Sequence, residues 1–309
     1  MNERIYINEV APRDGLQIEP VFVPTTEKVA LIDAISATGV AAIETTSFTS
    51  SKAIPSLADA SDVLAGIHRH KGVRYVALVP NQRGAERALE SGADEYNLVL
   101  SASDIHGLAN LRMTPWQSLE RLEGVIAHVR ARAPATIFNA SISTAFGCPF
   151  EGPVAEAKIL GIVERLGGLG VDGISLCDTT GMANPSQVSN LCKHVLTHHS
   201  ELRLTLHLHN TRGMGLANAL AGWQVGVVHF DAALGGLGGC PFAPGASGNV
   251  CTEDLVHMFE EMGVDTGVDL EALIKVAQTL PTLLGHEMPG QVVKAGRANR
   301  RYPTPKSAV

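Results

Sequence analysis

Three things are scarce in this 309-residue chain: paired cysteines, long apolar runs and positive charge. The five cysteines, Cys148, Cys177, Cys192, Cys240 and Cys251, form no Cys-x-x-Cys pair, which argues against a zinc ribbon or a dithiol redox motif. Their odd number leaves at least one thiol free. No stretch of about 18 uninterrupted apolar residues occurs, and the opening MNERIYINEV lacks the apolar core of a signal peptide. A soluble cytoplasmic protein without membrane partners is therefore expected. Lys and Arg together number 24 against 31 Asp and Glu, a formal charge of −7, and the only basic cluster is Lys294 to Arg301. Nucleic acid is not an expected partner. What the chain does have is 45% apolar residues and 31 glycines, enough to exclude a disordered protein and, at this length, to bury a large core.

Short β-branched or apolar runs alternate with helical spacing from one end to the other. The runs Ile5–Ala11, Ala41–Phe48, Arg74–Val79, Glu95–Leu100, Ala135–Ser143, Gly173–Thr179, Leu202–Asn210 and His229–Gly235 read as strands. Between them, helices are expected over segments such as Thr26–Ala37, Leu57–His70, Pro115–Arg132, Val154–Leu169, Pro185–His199 and Met214–Val225, with stops at Gly39, Gly92 and Gly170. The recurring phrase is helix, glycine, strand, as in ATGVAAIETT and GLGVDGISL. Eight such parallel units close into a TIM-type (β/α)8 barrel. A doubly wound open sheet is the alternative, but no Gly-x-Gly-x-x-Gly turn follows the first strand. No linker divides the chain, so residues 1–309 read as a single domain, with closing helices from Cys251 to Gly285 and a polar tail from about 298.

In such a barrel the chemistry sits at the C-terminal ends of the strands. There the sequence places Arg13-Asp14-Gly15 after strand one, Glu44 in strand two, Asp178 at the end of strand six and His207-x-His209 in strand seven. Two histidines two apart on a strand point to one face. In LRLTLHLHN the leucines alternate with Thr205, His207 and His209, so the histidines face inward near the mouth. With Asp14 they make a nitrogen and oxygen donor set that suits a catalytic Mg²⁺ or Mn²⁺. Strand eight is followed by a glycine-dense run, Gly235 to Asn249, which reads as a mobile loop presenting Cys240 over the mouth. Cys177 and Cys192 read as core residues, and Cys148, in a Gly-Cys-Pro turn, stays open.

The segments EVAPRDGLQ (9–17), IETTSF (43–48), GCPFEG (147–152), SLCDTTG (175–181), HLHNTRGMGLAN (207–218) and GLGGCPFAPGASGNVCTEDLV (236–256) closely resemble the 3-hydroxy-3-methylglutaryl-CoA lyases. The resemblance runs from about residue 5 to residue 297. It implies that Asp14, His207, His209 and Asn249 hold the divalent metal and that Arg13 stabilises the enolate oxygen of the departing acyl-CoA. It further implies Glu44 as an acid beside Arg13, Asp178 as a candidate base, and Cys240 as a loop cysteine assisting proton transfer. The partner implied is a small acyl-CoA, and the assembly a homodimer.

Two stretches depart from the family pattern. Where these lyases usually carry Arg-Gly-Tyr, this chain has Asn139, Ala140 and Ser141, and after strand four it has Ala109 to Met113 in place of a stretch rich in Lys, Asn and Ser. Both are expected at the substrate end of the barrel, and Gln17, Ser47, Asn139 and Ser141 are the substrate-contact candidates. A smaller, neutral pocket keeps the reaction and changes the acid. 3-Hydroxy-3-methylglutaryl-CoA is the first substrate to expect, with a different 3-hydroxyacyl-CoA as rival. A Claisen-type synthase or aldolase shares the His-x-His pair but not the Gly-Gly-Cys-Pro loop, and a non-enzymatic barrel that binds CoA esters would not need the whole charged set. The cluster Lys294, Arg297, Arg300 and Arg301 is either a CoA-phosphate site or a solvated tail.

Overall fold

The computed structural model describes residues 4–239 and 248–303. Eight parallel strands close on themselves in sequence order: β1 (Tyr6–Glu9), β2 (Ala42–Ser47), β3 (Arg74–Leu78), β4 (Glu95–Ser101), β5 (Ile137–Ser143), β6 (Gly173–Asp178), β7 (Arg203–Leu208) and β8 (His229–Ala232). Closure comes from β1 pairing with β8 over its whole length, Tyr6 opposite His229 and Glu9 opposite Ala232. This is the expected TIM barrel. All eight strands lie where the sequence placed them, and most are shorter. The first apolar run outlasts β1 because Val10 and Ala11 are buried by a turn rather than a ladder.

Helices α1 (Thr25–Ser36), α2 (Ala60–Gly66), α3 (Gln82–Ser91), α4 (Asp104–Leu111), α5 (Pro115–Arg130), α6 (Glu156–Gly168), α7 (Pro185–His198) and α8 (Gly215–Gln224) connect the strands. The starts read from proline are cap-driven: Thr114 with Gln117, and Asn184 with Gln187, form reciprocal capping boxes before Pro115 and Pro185. α2 starts three residues later than expected because Pro55–Leu57 forms a 3₁₀ turn first. After β8 come α9 (Thr252–Glu261), α10 (Leu270–Ala277), α11 (Leu280–Leu284) and α12 (Val292–Ala295), the expected closing helices carried a little further. Among the described residues no helix is long and apolar enough to cross a membrane.

The strand alternation divides the core in two. Outward positions such as Ile43, Leu98, Phe138, Ile174, Leu206 and Phe230 are almost fully buried beneath the helices. Inward positions are mostly polar: Asn8, Glu44, Asn97, Asn139, Ser175, Thr205 and Asp231, with Ala42 and Val76 among them, line a central cavity of about 30 Å³. A barrel interior of this kind must satisfy its polar atoms internally, because leaving one buried and unpaired costs about 1–3 kcal/mol. Glu44, Asn97, Asn139, Ser141 and Ser175 accordingly form one connected hydrogen-bonded chain across the interior.

Candidate functional site

Directly after β1 the chain makes one π-helical turn, Ala11–Gly15, in which the Val10 carbonyl accepts from the N–H groups of Arg13, Asp14 and Gly15. Single-turn π geometry of this kind is frequent at functional sites. Glu9, fully buried, fixes the turn in place. Its Oε1 accepts from the Ala11 and Leu234 N–H groups at 2.8 and 2.9 Å, and its Oε2 from the Thr252 hydroxyl at 2.7 Å. One carboxylate thus ties β1 to both flanks of the glycine-rich segment. Glu253 does the same for the next connection, accepting from the Gly235 N–H and the Cys251 thiol. Burial raises Glu9 to about 8 and Glu253 to about 7, against the pull of these donors.

Arg13 lies between two carboxylates. Its Nε and Nη2 both reach Glu44 Oε2 at 2.6 Å, and its Nη1 meets Asp14 Oδ1. Glu44 is aimed inward beside a bulge in β2, where the pairing with β3 slips between Glu44 and Thr46. Its other oxygen accepts from Asn97 Nδ2 at 2.8 Å, while Asn97 Oδ1 accepts from Asn139 Nδ2 and Ser141 Oγ. Arg13 is therefore held from below by a chain that reaches the middle of the barrel. Burial works against its charge, but Glu44 and Asp14 keep the guanidinium protonated and push its pKa above the ordinary value.

Above this pair the ligand atoms of Asp14, His207 and His209 converge to within 4.8 Å of one another. The two imidazoles bring Nε2 to Nε2 at 3.3 Å, and His207 Nε2 lies 3.9 Å from Asp14 Oδ2. Asn249, paired through an isolated bridge with His209, donates its amide to Asp14 Oδ2 at 2.7 Å and to the Leu237 carbonyl at 3.0 Å. The amide oxygen is then the atom left to face a ligand. The close approach of these strands needs glycine: a Cβ on Gly238, whose φ is +87°, would stand 2.6 Å from the Asn249 amide, and one on Gly248 1.8 Å from the Gly236 carbonyl.

The electrostatics fit a cation. Burial raises the Asp14 carboxyl, yet Arg13, His207, His209 and the Asn249 bond together hold it well below the usual carboxylate range. Burial lowers His207, and its bond to Asp231 together with nearby Asp14 more than reverses this. Two imidazole nitrogens facing each other at 3.3 Å, beside an ionised carboxylate, form a hard N,O donor set of the kind Mg²⁺ or Mn²⁺ accepts. Three of the four expected donors thus form a cluster that can hold a metal ion.

Other expected site residues land differently. Asp178 is not in the donor cluster; its Oδ1 accepts from the Met182 and Ala183 N–H groups, closing the loop after β6, and its Oδ2 is buried with no hydrogen-bond partner among the described residues. Burial raises it to about 6. Ser47 closes a local turn with Thr49, and Gln17, half-buried, follows the π turn. Asn139 requires a correction. It and Ser141 are both inward positions of β5: Asn139 lies deep, opposite Gly173 at the start of β6, while Ser141, opposite Ser175, stands one inward step nearer the mouth. Cys240 lies outside the described residues.

The remaining cysteines sort clearly. Cys148 is buried and accepts from the Ser103 hydroxyl and the Phe150 N–H. Cys192 is buried in α7. Cys177 is buried too, but inside the barrel near Ser141 and Asp231, where burial raises its thiol well above the ordinary value. Of the basic cluster, Arg297 pairs with Glu260 at the far end of α9 from Asn249, and Arg300 stacks on Tyr302. That placement favours the solvated-tail alternative.

Sequence reading missed Glu9, Asn97 and Asp231. Glu9 and Asp231 carried the same signal as Glu44, an ionisable residue in an apolar strand.

The family model described as HMGL-like matches residues 4–280. The chain is 44% identical over 289 residues to the hydroxymethylglutaryl-CoA lyase of Bacillus subtilis, covering 94% of this chain and 96% of that protein. It is also 44% identical to the (R)-citramalyl-CoA lyase of Chloroflexus aurantiacus, covering 95% of each. Among solved structures it is similar, with a TM-score of 0.94 and 54% identity over 98% of both chains, to an HMG-CoA lyase from Acinetobacter baumannii in complex with coenzyme A and 3-methylmalate.

Proposed function

The chain belongs to the HMGL-like family and is a carbon–carbon lyase, and from that premise we propose that it splits a 3-hydroxyacyl-CoA by metal-dependent retro-Claisen chemistry. The observation that carries this is the convergence of Asp14, His207 and His209 beside a guanidinium clamped by Glu44. 3-Hydroxy-3-methylglutaryl-CoA, yielding acetyl-CoA and acetoacetate, is the first substrate. A second reading, the same cleavage of a shorter thioester of the citramalyl-CoA kind, is favoured by the relative named for that activity.

Held by Asp14, His207, His209 and Asn249, Mg²⁺ or Mn²⁺ would supply Lewis acidity toward the hydroxyl and carboxylate oxygens of the substrate. Asp178 acts as the base: its free Oδ2 takes the hydroxyl proton, and a carboxyl near 6 is suited to that task at neutral pH. As the hydroxyl becomes a carbonyl, the bond to the neighbouring carbon breaks and its electron pair moves onto the thioester as an enolate. Arg13 directs three of its five donors at Glu44 and Asp14, and the rest offset the charge growing on the thioester oxygen. The Cys240 thiol then delivers a proton to the enolate carbon. The working form is a single-domain, cytoplasmic homodimer without further partners.

The test is a product assay. Purified protein with Mg²⁺ or Mn²⁺ is incubated with 3-hydroxy-3-methylglutaryl-CoA, citramalyl-CoA and unbranched 3-hydroxyacyl-CoAs, and the acid released is identified by mass. Acetyl-CoA with acetoacetate, or with pyruvate, separates the two readings. No acetyl-CoA from any thioester overturns both.

A further inference from the structure

Asp231 is the one charged residue of β8, and it faces into the barrel. In the strand ladder its Cα partners are His207 on β7 and Asn8 on β1. Those two neighbours are also its hydrogen-bond partners: Oδ2 lies 3.2 Å from His207 Nδ1, and Oδ1 accepts from Asn8 Nδ2 at 2.9 Å. Three side chains on three adjacent strands thus form a row whose spacing is set by the backbone, since neighbouring strands run about 4.8 Å apart. The row leads straight to the mouth, because the opposite nitrogen of His207, Nε2, points at His209 Nε2 and Asp14 Oδ2.

An ionised carboxylate only accepts hydrogen bonds. Facing Asp231, Nδ1 must therefore be the protonated nitrogen of His207, and Nε2 must carry the lone pair. With its second oxygen held by Asn8, the carboxylate cannot turn away. We propose that Asp231, anchored by Asn8, is a positioning residue that locks His207 in the tautomer and orientation that present Nε2 to a divalent cation. This rests on the metal reading above and adds to it a residue outside the ligand set. Carboxylates behind ligating histidines typically change metal affinity by about 10–100-fold when removed.

The experiment uses the full-length protein stripped of metal. Mn²⁺ is titrated into wild type, Asp231→Asn and Asp231→Ala, with the free ion read by electron paramagnetic resonance and folding checked by the melting curve of each metal-free protein. Asp231→Asn preserves shape, but its amide can offer an N–H to His207 Nδ1 while its oxygen still accepts from Asn8. That moves the ring proton to Nε2. The expected result is a Kd for Mn²⁺ raised about 10–100-fold in both variants. In parallel, ¹⁵N spectra of the metal-free wild type should show His207 protonated at Nδ1, and those of Asp231→Asn a shift toward Nε2. An unchanged Kd in a folded variant, or a wild-type His207 protonated at Nε2, overturns the inference and leaves the metal reading standing. A wild type that binds no Mn²⁺ removes the metal reading, and the inference with it.

Discussion

Toward the N-terminal end of the barrel, Glu95 is held between Arg74 and Arg203, at 2.9 and 2.6 Å, and the adjacent His229 is kept neutral by burial and the two arginines, its pKa lowered to about 4. At the C-terminal end Asp14 and His207 also have partners, in Arg13, Asn249 and Asp231, yet the ligand atoms of Asp14, His207 and His209 converge on one another as well. Both layers are polar and both stand on inward positions of the same strands. In the lower layer each charge is answered from within the protein, as a buried ion pair must be to persist. In the upper layer two imidazole nitrogens and a carboxylate converge into a donor set that can accept a cation. The difference separates a structural layer from a working one.

That contrast predicts opposite responses to mutation. The largest effect on turnover is expected from Asp14→Asn, which should reduce acetyl-CoA release to background and weaken Mn²⁺ binding while leaving the fold of the metal-free protein intact. Arg13→Lys keeps the charge but loses the fork that grips Glu44, and kcat should drop about 10²-fold, as for removal of one oxyanion donor. Glu95→Gln in the lower layer should do the reverse. It leaves two arginines without their carboxylate and should lower unfolding free energy by about 3 kcal/mol, measured by denaturant titration, with turnover of the folded enzyme little changed.

The pH response tests the turns that support the upper layer. Glu9 at about 8 and Glu253 at about 7 sit above their ordinary value of 4.5, so the folded chain holds protons that the unfolded chain releases. The stability they lend is complete below about 4.5 and is lost as pH rises through 7 to 8. Melting temperature should therefore fall across that window in wild type, and Glu9→Gln and Glu253→Gln should flatten the fall. The smallest effect is expected at Arg297→Ala, which removes a surface pair worth about 0–1 kcal/mol and should leave KM for the thioester unchanged. A raised KM would return the basic tail to CoA binding.

The strand count, strand order and the His-x-His pair were legible because each follows from a period within one segment. Alternation along LRLTLHLHN is enough to put His207 and His209 on the same inward face. The roles of Asp231, Asn97 and Asn8 were not legible, because they depend on which residue stands opposite on the next strand. That register is set only when β1 closes against β8. The same blindness placed Asn139 at the mouth: the sequence shows that it faces inward, but depth depends on the stagger between strands. Glu9 was hidden for a different reason. Its partners Ala11, Leu234 and Thr252 are spread over more than 240 residues and meet only after closure.

The central claim is that the upper layer works through a divalent cation bound by its own strands. The most direct measurement follows acetyl-CoA release and Mn²⁺ binding in a single titration of chelator-stripped protein with 3-hydroxy-3-methylglutaryl-CoA and citramalyl-CoA in turn. The account predicts no release without metal, and release that rises in step with occupancy until a single ion is bound per chain. Release that is undiminished in the stripped protein would contradict it.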